Sequence, residues 1–165
     1  MPHTAEQLFS FLDRLGIEHQ TMQHPPIFNA ADGRDWEDKI PGVCCKNLFL
    51  KDGKGQLWLI VMPAAKRADL SGIAQRIGAP KLSFAKPDVM LAVLGLTPGS
   101  VTPFALLNDK DKQVRVVLDE EMLKSETVNY HPLHNAASTT LRAKDFLKFI
   151  AALGYKPIIT ECGNL

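Results

Sequence analysis

Near the N-terminus apolar residues recur with a helical period, placing Leu8, Phe11, Leu12 and Leu15 on one face ahead of Gly16. Thr4 followed three residues later by Gln7 is a capping-box pattern, which predicts an amphipathic first helix starting there. Residues 17–23 suit a short strand, His24-Pro25-Pro26 stops regular pairing, and the polar stretch from Asp32 to Asp38 reads as a loop or a short helix. The clearest β signal runs from Cys44 to Leu50, turns at Asp52-Gly53-Lys54-Gly55 and returns from Leu57 to Met62. The second of these strands is almost continuously apolar, which predicts a central position in a sheet.

Further on, Asp69 is placed to cap a helix carrying Leu70, Ile73, Ala74 and Ile77 up to Gly78. Pro87 suits the first turn of another, with Val89, Met90 and Val93 before Gly95. Phe104–Leu107 and Val114–Leu118 flank Asn108-Asp109-Lys110-Asp111 and read as a second hairpin with a charged, solvated tip. Thr127–Tyr130 and Ser138–Leu141 are strand candidates. A last helix from Lys144 to Leu153 stops at Gly154, before a final strand around Pro157 to Thr160. Hairpins mixed with helices argue against a purely parallel sheet. The expected fold is therefore a mixed α/β (α+β) single domain over residues 1–165, with a curved, barrel-like mixed sheet surrounded by helices.

Composition narrows the function classes. A chain of 165 residues is long enough for one hydrophobic core without metal or disulfide staples. Nineteen basic residues against eighteen acidic ones give a net charge of +1, so any contact with RNA must be a local patch; Lys51, Lys66, Arg67, Arg76 and Lys81 are the candidates. Cys44, Cys45 and Cys162 lack metal-ligand spacing, and His3, His19 and His24 do not converge into a zinc site, so no metal or cofactor is expected. No secretory leader or membrane-length apolar run is visible, which suggests a cytoplasmic protein without membrane contact.

Three segments could carry chemistry. Lys46 lies in a strand on the same face as Leu48 and Leu50; such a lysine either snorkels to solvent or has a partner or ligand. Gly99-Ser100-Val101-Thr102-Pro103 is either a plain connector or a loop whose glycine lets backbone approach a ligand. The segment from Tyr130 to Thr140 clusters His131, His134, Asn135 and hydroxyl groups around a proline turn; these side chains either orient a substrate or bond their own backbone.

Taken in order, Lys46-Asn47-Leu48-Phe49-Leu50, Gly99–Pro103, Thr102–Asp109 and His131-Pro132-Leu133-His134-Asn135 resemble the YbaK-type editing-domain family, which includes the insertion domain of bacterial prolyl-tRNA synthetase. The likeness spans about residues 5–155 and is greatest to the free-standing alanyl-tRNA(Pro) deacylase branch. It implies an aminoacyl-tRNA deacylase that hydrolyses mischarged Ala-tRNA(Pro), with Lys46, Gly99 and His131 in the catalytic set and Asn47, Ser100, Pro103 and Asn135 binding substrate. Lys46 would hold the aminoacyl end, and the loop amides would engage the scissile carbonyl or the attacking water. The implied partner is the acceptor end of mischarged tRNA(Pro), with prolyl-tRNA synthetase a candidate second one, and the protein is expected to be a monomer. Two alternatives stand beside this: a Cys-tRNA(Pro) deacylase of the same family, and a nucleic-acid-binding module without catalysis.

Overall fold

The computed structural model describes residues 2–26 and 42–164. The reading of Asp32 to Asp38 as a loop or short helix lies outside those residues. Helix α1 (Ala5–Arg14) begins with the capping box expected of it: Thr4 Oγ1 accepts from the Gln7 amide at 3.2 Å and Gln7 Oε1 from the Thr4 amide at 2.8 Å. Such a cap is worth about 1 kcal/mol. Leu8 and Leu12 are buried beneath the helix. Strand β1 (His19–Gln23) follows.

The predicted hairpin is β2 (Val43–Lys51) and β3 (Leu57–Pro63), antiparallel from Cys45↔Pro63 to Lys51↔Leu57. Every residue of β3 is buried: β2 and β6 (Val114–Asp119) pair with its two edges, and its side chains enter the two cores alternately, Leu57, Leu59 and Val61 into one and Trp58, Ile60 and Met62 into the other. Between them come β4 (Arg67–Ala68), α2 (Leu70–Ile77), β5 (Ser83–Phe84) and α3 (Pro87–Leu94). Asp69 caps α2 through the Gly72 amide at 3.1 Å; Gly78 and Gly95 end the two helices at positive φ, as their positions suggested. Strands β7 (Thr127–Tyr130) and β8 (Ala137–Arg142), helix α4 (Ala143–Ala152), and strands β9 (Ile158–Thr160) and β10 (Gly163–Asn164) complete the chain.

The main sheet runs β1-β8-β7-β2-β3-β6-β9, with β5 pairing β2 off that path, while β4 and β10 form a separate ribbon. It is mixed: β2–β7, β3–β6 and β6–β9 are parallel, and the other pairs antiparallel. A larger core containing Leu8, Phe49, Phe104, Phe146 and Phe149 covers one face. A smaller one with Leu50, Trp58, Ile60, Met62 and Ile73 lies under α2 on the other. No helix among the described residues is long and apolar enough to cross a membrane.

The second hairpin does not form. Pro103–Asn108 is a 3-10 helix, and β6 pairs in parallel with β3 and β9 instead. Thr102 Oγ1 accepts the Phe104 amide at 3.3 Å and Pro103 supplies the first turn, so a local cap outweighs strand propensity. Four consecutive buried residues, Pro103 to Leu106, show no strand alternation. Nor is the tip fully solvated: Asp109 is buried and accepts from the Gln113 and Val114 amides, each at 3.0 Å, and from Tyr155 Oη at 2.7 Å.

Candidate active site

Strand β2 organises the site because its two edges are unlike. Along one edge β3 pairs with it continuously; along the other, β7 takes only Val43 and Cys44, and β5 only Leu50 and Lys51. Among the described residues no strand covers the stretch between these two pairings, residues 45–49, on that edge. Phe49 still accepts the Ala85 amide there, and strand alternation points the backbone groups of Cys45 and Asn47 the same way. Residues Val43 to Leu48 are only half-buried, in contrast to β3.

Alternation also separates neighbouring side chains. Cys45, Asn47 and Phe49 face the larger core, whereas Lys46, Leu48 and Leu50 face the smaller. Asn47 Nδ2 donates to the Val101 carbonyl in the Gly99–Pro103 loop at 3.3 Å. The carbonyl accepts only, so the amide must present its NH2 there. Asn47 Oδ1 is thereby left buried without a hydrogen-bond partner among the described residues. Orphaned buried acceptors are rare in folded proteins, and each calls for an explanation.

The loop opposite is shaped by its ends. Gly99 has φ +93°, where side-chain-bearing residues are strained, and the Ser100 amide closes a turn on the Thr97 carbonyl at 3.2 Å. Pro103 is buried as the first residue of the 3-10 helix. His131 follows the last residue of β7. Because β7 runs parallel to β2 in the register Cys44↔Asn129, continuing that register brings His131 to the level of Lys46. His131 Nδ1 meets the Ala137 carbonyl at 3.0 Å and must donate to it, so a neutral ring keeps Nε2 as an acceptor. Burial, with like-charge effects of His24 and His134, pulls the His131 pKa below 6.5 against that hydrogen bond, which favours the neutral form.

Lys46 is the predicted residue whose surroundings differ from expectation. It is half-buried and does have a partner, but that partner is the main chain: Nζ donates to the Lys66 carbonyl just beyond β3. Burial lowers its pKa from 10.5. No hydrogen bond joins its ammonium to the Gly99–Pro103 loop among the described residues; the two flank β2 from opposite faces. In the turn after β7, Asn135 is half-buried, and His134 Nδ1 accepts the Ala136 amide at 3.2 Å. Local backbone bonding thus accounts for His134 and for one nitrogen of His131; among the described residues the other nitrogen has no hydrogen bond.

The pattern of the aminoacyl-tRNA editing domain matches residues 24–149, more than half of the chain. The chain belongs to the aminoacyl-tRNA editing domain family. It is a hydrolase of the aminoacyl-tRNA ester bond. Curated relatives include the prolyl-tRNA editing protein ProX of Acetoanaerobium sticklandii, 35% identical over 144 residues and covering 87% of this chain and 88% of that protein. Another is prolyl-tRNA synthetase associated domain-containing protein 1 of Danio rerio, 33% identical over 156 residues, 93% of this chain and 85% of that protein. Among solved structures, one described as a putative trans-editing enzyme for prolyl tRNA synthetase superposes with a TM-score of 0.74 at 19% identity, covering 100% of this chain and 99% of that one. At that identity the likeness speaks for the fold alone.

Within this editing domain, sequence reasoning left His24 out of the candidate site and misplaced Lys66. His24 is buried against Ser138 Oγ at 2.9 Å, and its ring lies 6.2 Å from that of His131. Without metal-ligand spacing it carried no sequence signal. The orphaned acceptor of Asn47 is likewise invisible before the loop is in place. Lys66, counted with the basic patch, is 3% exposed and ion-paired to Asp119, Glu121 and Glu161, so it is withdrawn from RNA contact. Arg76 donates to the Glu161 carbonyl at 2.8 Å, while Lys51, Arg67 and Lys81 remain exposed. Cys45 sits against Tyr130, and burial pushes its thiol far up; burial pushes that of Cys162 up to about 12, so neither supplies a ready thiolate. Surface cavities of about 300, 710 and 430 Å³ lie beside α1, at the α1–β1 junction and next to Trp58.

Proposed function

We propose that this deacylase edits in trans and removes alanine from mischarged tRNA(Pro), with the reaction placed at the edge of β2 that no strand covers among the described residues. The observation that carries this reading is the orphaned Asn47 Oδ1 beside the Gly99–Pro103 loop. An aminoacyl ester brings what such an acceptor lacks, an α-ammonium and a free ribose hydroxyl, both of them donors. The loop amides supply donors for the oxyanion that forms when water attacks the ester carbonyl. Lys46, held at the same level of β2, steadies the aminoacyl end from the other face, and His131 Nε2 accepts a proton-bearing group of the substrate. Ser100, Pro103 and Asn135 shape the rim. The names of the relatives point to the proline system, and prolyl-tRNA synthetase is the natural source of the error. Missing methylenes are worth only about 1–3 kcal/mol to a synthetase pocket, so alanine slips through, whereas a small second pocket excludes proline by steric clash.

Purified protein should deacylate alanyl-tRNA(Pro) faster than cysteinyl-tRNA(Pro) and leave prolyl-tRNA(Pro) intact. Faster release of cysteine would transfer the chain to the cysteine-specific branch, and release of proline would defeat the second-sieve argument.

His131 gives a pH prediction with a defined sign. Its folded pKa lies below the ordinary 6.5, so as pH falls the unfolded chain takes up the proton first. The stability tied to the neutral ring is complete above 6.5 and is lost as pH falls through the lower folded value. Deacylation should decline over the same window as Nε2 ceases to accept. Melting temperatures across that window should drop more steeply for the wild type than for His131→Gln. Parallel curves would show that His131 is not the titrating group.

A further inference from the structure

The contact made by the Lys46 ammonium leads to a residue that the proposed chemistry does not use. Its acceptor, the Lys66 carbonyl, belongs to a tight turn after β3, with the Lys66 amide on the Pro63 carbonyl at 3.2 Å and the Ala64 amide on the Cys44 carbonyl at 2.8 Å. Ala64 and Ala65 offer that turn little packing. The Lys66 side chain, by contrast, is buried among three carboxylates: Glu121 Oε2 at 2.6 Å, Glu161 Oε1 at 2.7 Å and Asp119 Oδ2 at 3.3 Å.

These carboxylates come from separate parts of the chain. Asp119 ends β6 and is fully buried, its oxygens accepting the Glu121 and Met122 amides at 3.0 Å each and the Cys162 amide at 3.1 Å. Glu121 lies in the following turn, and Glu161 precedes β10. Burial opposes the charge on Lys66, but the bonds to Glu121, Glu161 and Asp119 outweigh it and hold its pKa well above the ordinary range. A buried ion pair is often matched in stability by apolar packing, so stability alone is a weak reason for a lysine here. What the cluster does supply is a main-chain carbonyl clamped at a set place beside β2.

We propose that Lys66 is a positioning residue for deacylation: its ion-paired side chain fixes the backbone carbonyl that holds the Lys46 ammonium. This rests on the reading of Lys46 as a catalytic residue. An ammonium has three N–H donors on a flexible stem; spending one on a rigid carbonyl orients the other two toward substrate. The effect is on orientation, so it belongs to turnover rather than to substrate affinity.

The test compares Lys66→Met, Lys66→Arg and Lys46→Ala on alanyl-tRNA(Pro). Lys66→Met should lower kcat roughly 10- to 100-fold, the scale of an ångström-sized misplacement, and leave KM nearly unchanged. Lys66→Arg, which keeps the charge among the carboxylates, should recover most of that loss. Adding Lys66→Met to Lys46→Ala should cost nothing further. If Lys66→Met fails to fold, the double variant Glu121→Gln/Glu161→Gln replaces it, since both side chains are partly exposed and their loss leaves no cavity; the same fall in kcat is expected. A folded Lys66→Met, or folded double variant, with wild-type kcat while Lys46→Ala is inactive overturns the positioning role and leaves the site reading intact. A loss in Lys66→Met that appears in KM, that arginine does not rescue, or that adds to Lys46→Ala also overturns it. Wild-type turnover by Lys46→Ala would overturn the site reading itself.

Discussion

Replacing Lys46 by alanine should lower kcat for alanyl-tRNA(Pro) about 10²- to 10³-fold, the usual loss when one charged or hydrogen-bonding group is removed from a transition state. The fold should survive. Lys46 is half-buried on a face shared with Leu48 and Leu50, its charge is disfavoured there by burial, and its contact is with a main-chain carbonyl. Melting temperature should therefore stay the same or rise slightly. The measurement is single-turnover deacylation together with a thermal melt of the same preparation. Full turnover in a folded variant would assign the chemistry to Asn47, the Gly99–Pro103 loop and His131 alone.

The second large effect is expected from Gly99→Ala. At φ +93° an alanine is strained by about 1–3 kcal/mol, and the loop would relieve this by rotating its backbone. That rotation displaces the amides following Gly99 and the Val101 carbonyl on which Asn47 depends. A displacement of this size costs about 10²-fold in rate. The loop is anchored at its far end by the buried Pro103 and by Thr102 capping Phe104, so the global fold should hold while kcat falls. Turnover at the wild-type rate would reduce the segment to a connector.

Much of the candidate site was legible one segment at a time. The strand with Lys46 and Asn47, the glycine-to-proline loop and the histidine turn each stand out by residue type, and the structure places all three around one stretch of β2. Their relative placement was not legible. The sequence-based reading put Lys46 on the face of Leu48 and Leu50, and the strand keeps it there; what the sequence did not show is that the Gly99–Pro103 loop meets Asn47 on the opposite face. Lys66 looked like one more surface cation, because nothing in Ala65-Lys66-Arg67 shows that Asp119, more than fifty positions away, will be buried against it.

The division follows from the range of the forces involved. Helix caps at Thr4 and Asp69, the left-handed ends at Gly16, Gly78 and Gly95, and the turn between β2 and β3 depend on residues within a few positions of one another, so the sequence by itself determined them. Choice of strand partner depends on burial contributed by distant segments. That is why Val114–Asp119 joins β3 and β9 in parallel rather than folding back on Phe104–Leu107. The edge of β2 left without a strand and the orphaned oxygen of Asn47, both among the described residues, and the desolvation of Lys66 arise only once three or more such segments meet. They are decided by tertiary structure because desolvation is a property of the whole packed surface and not of any local sequence.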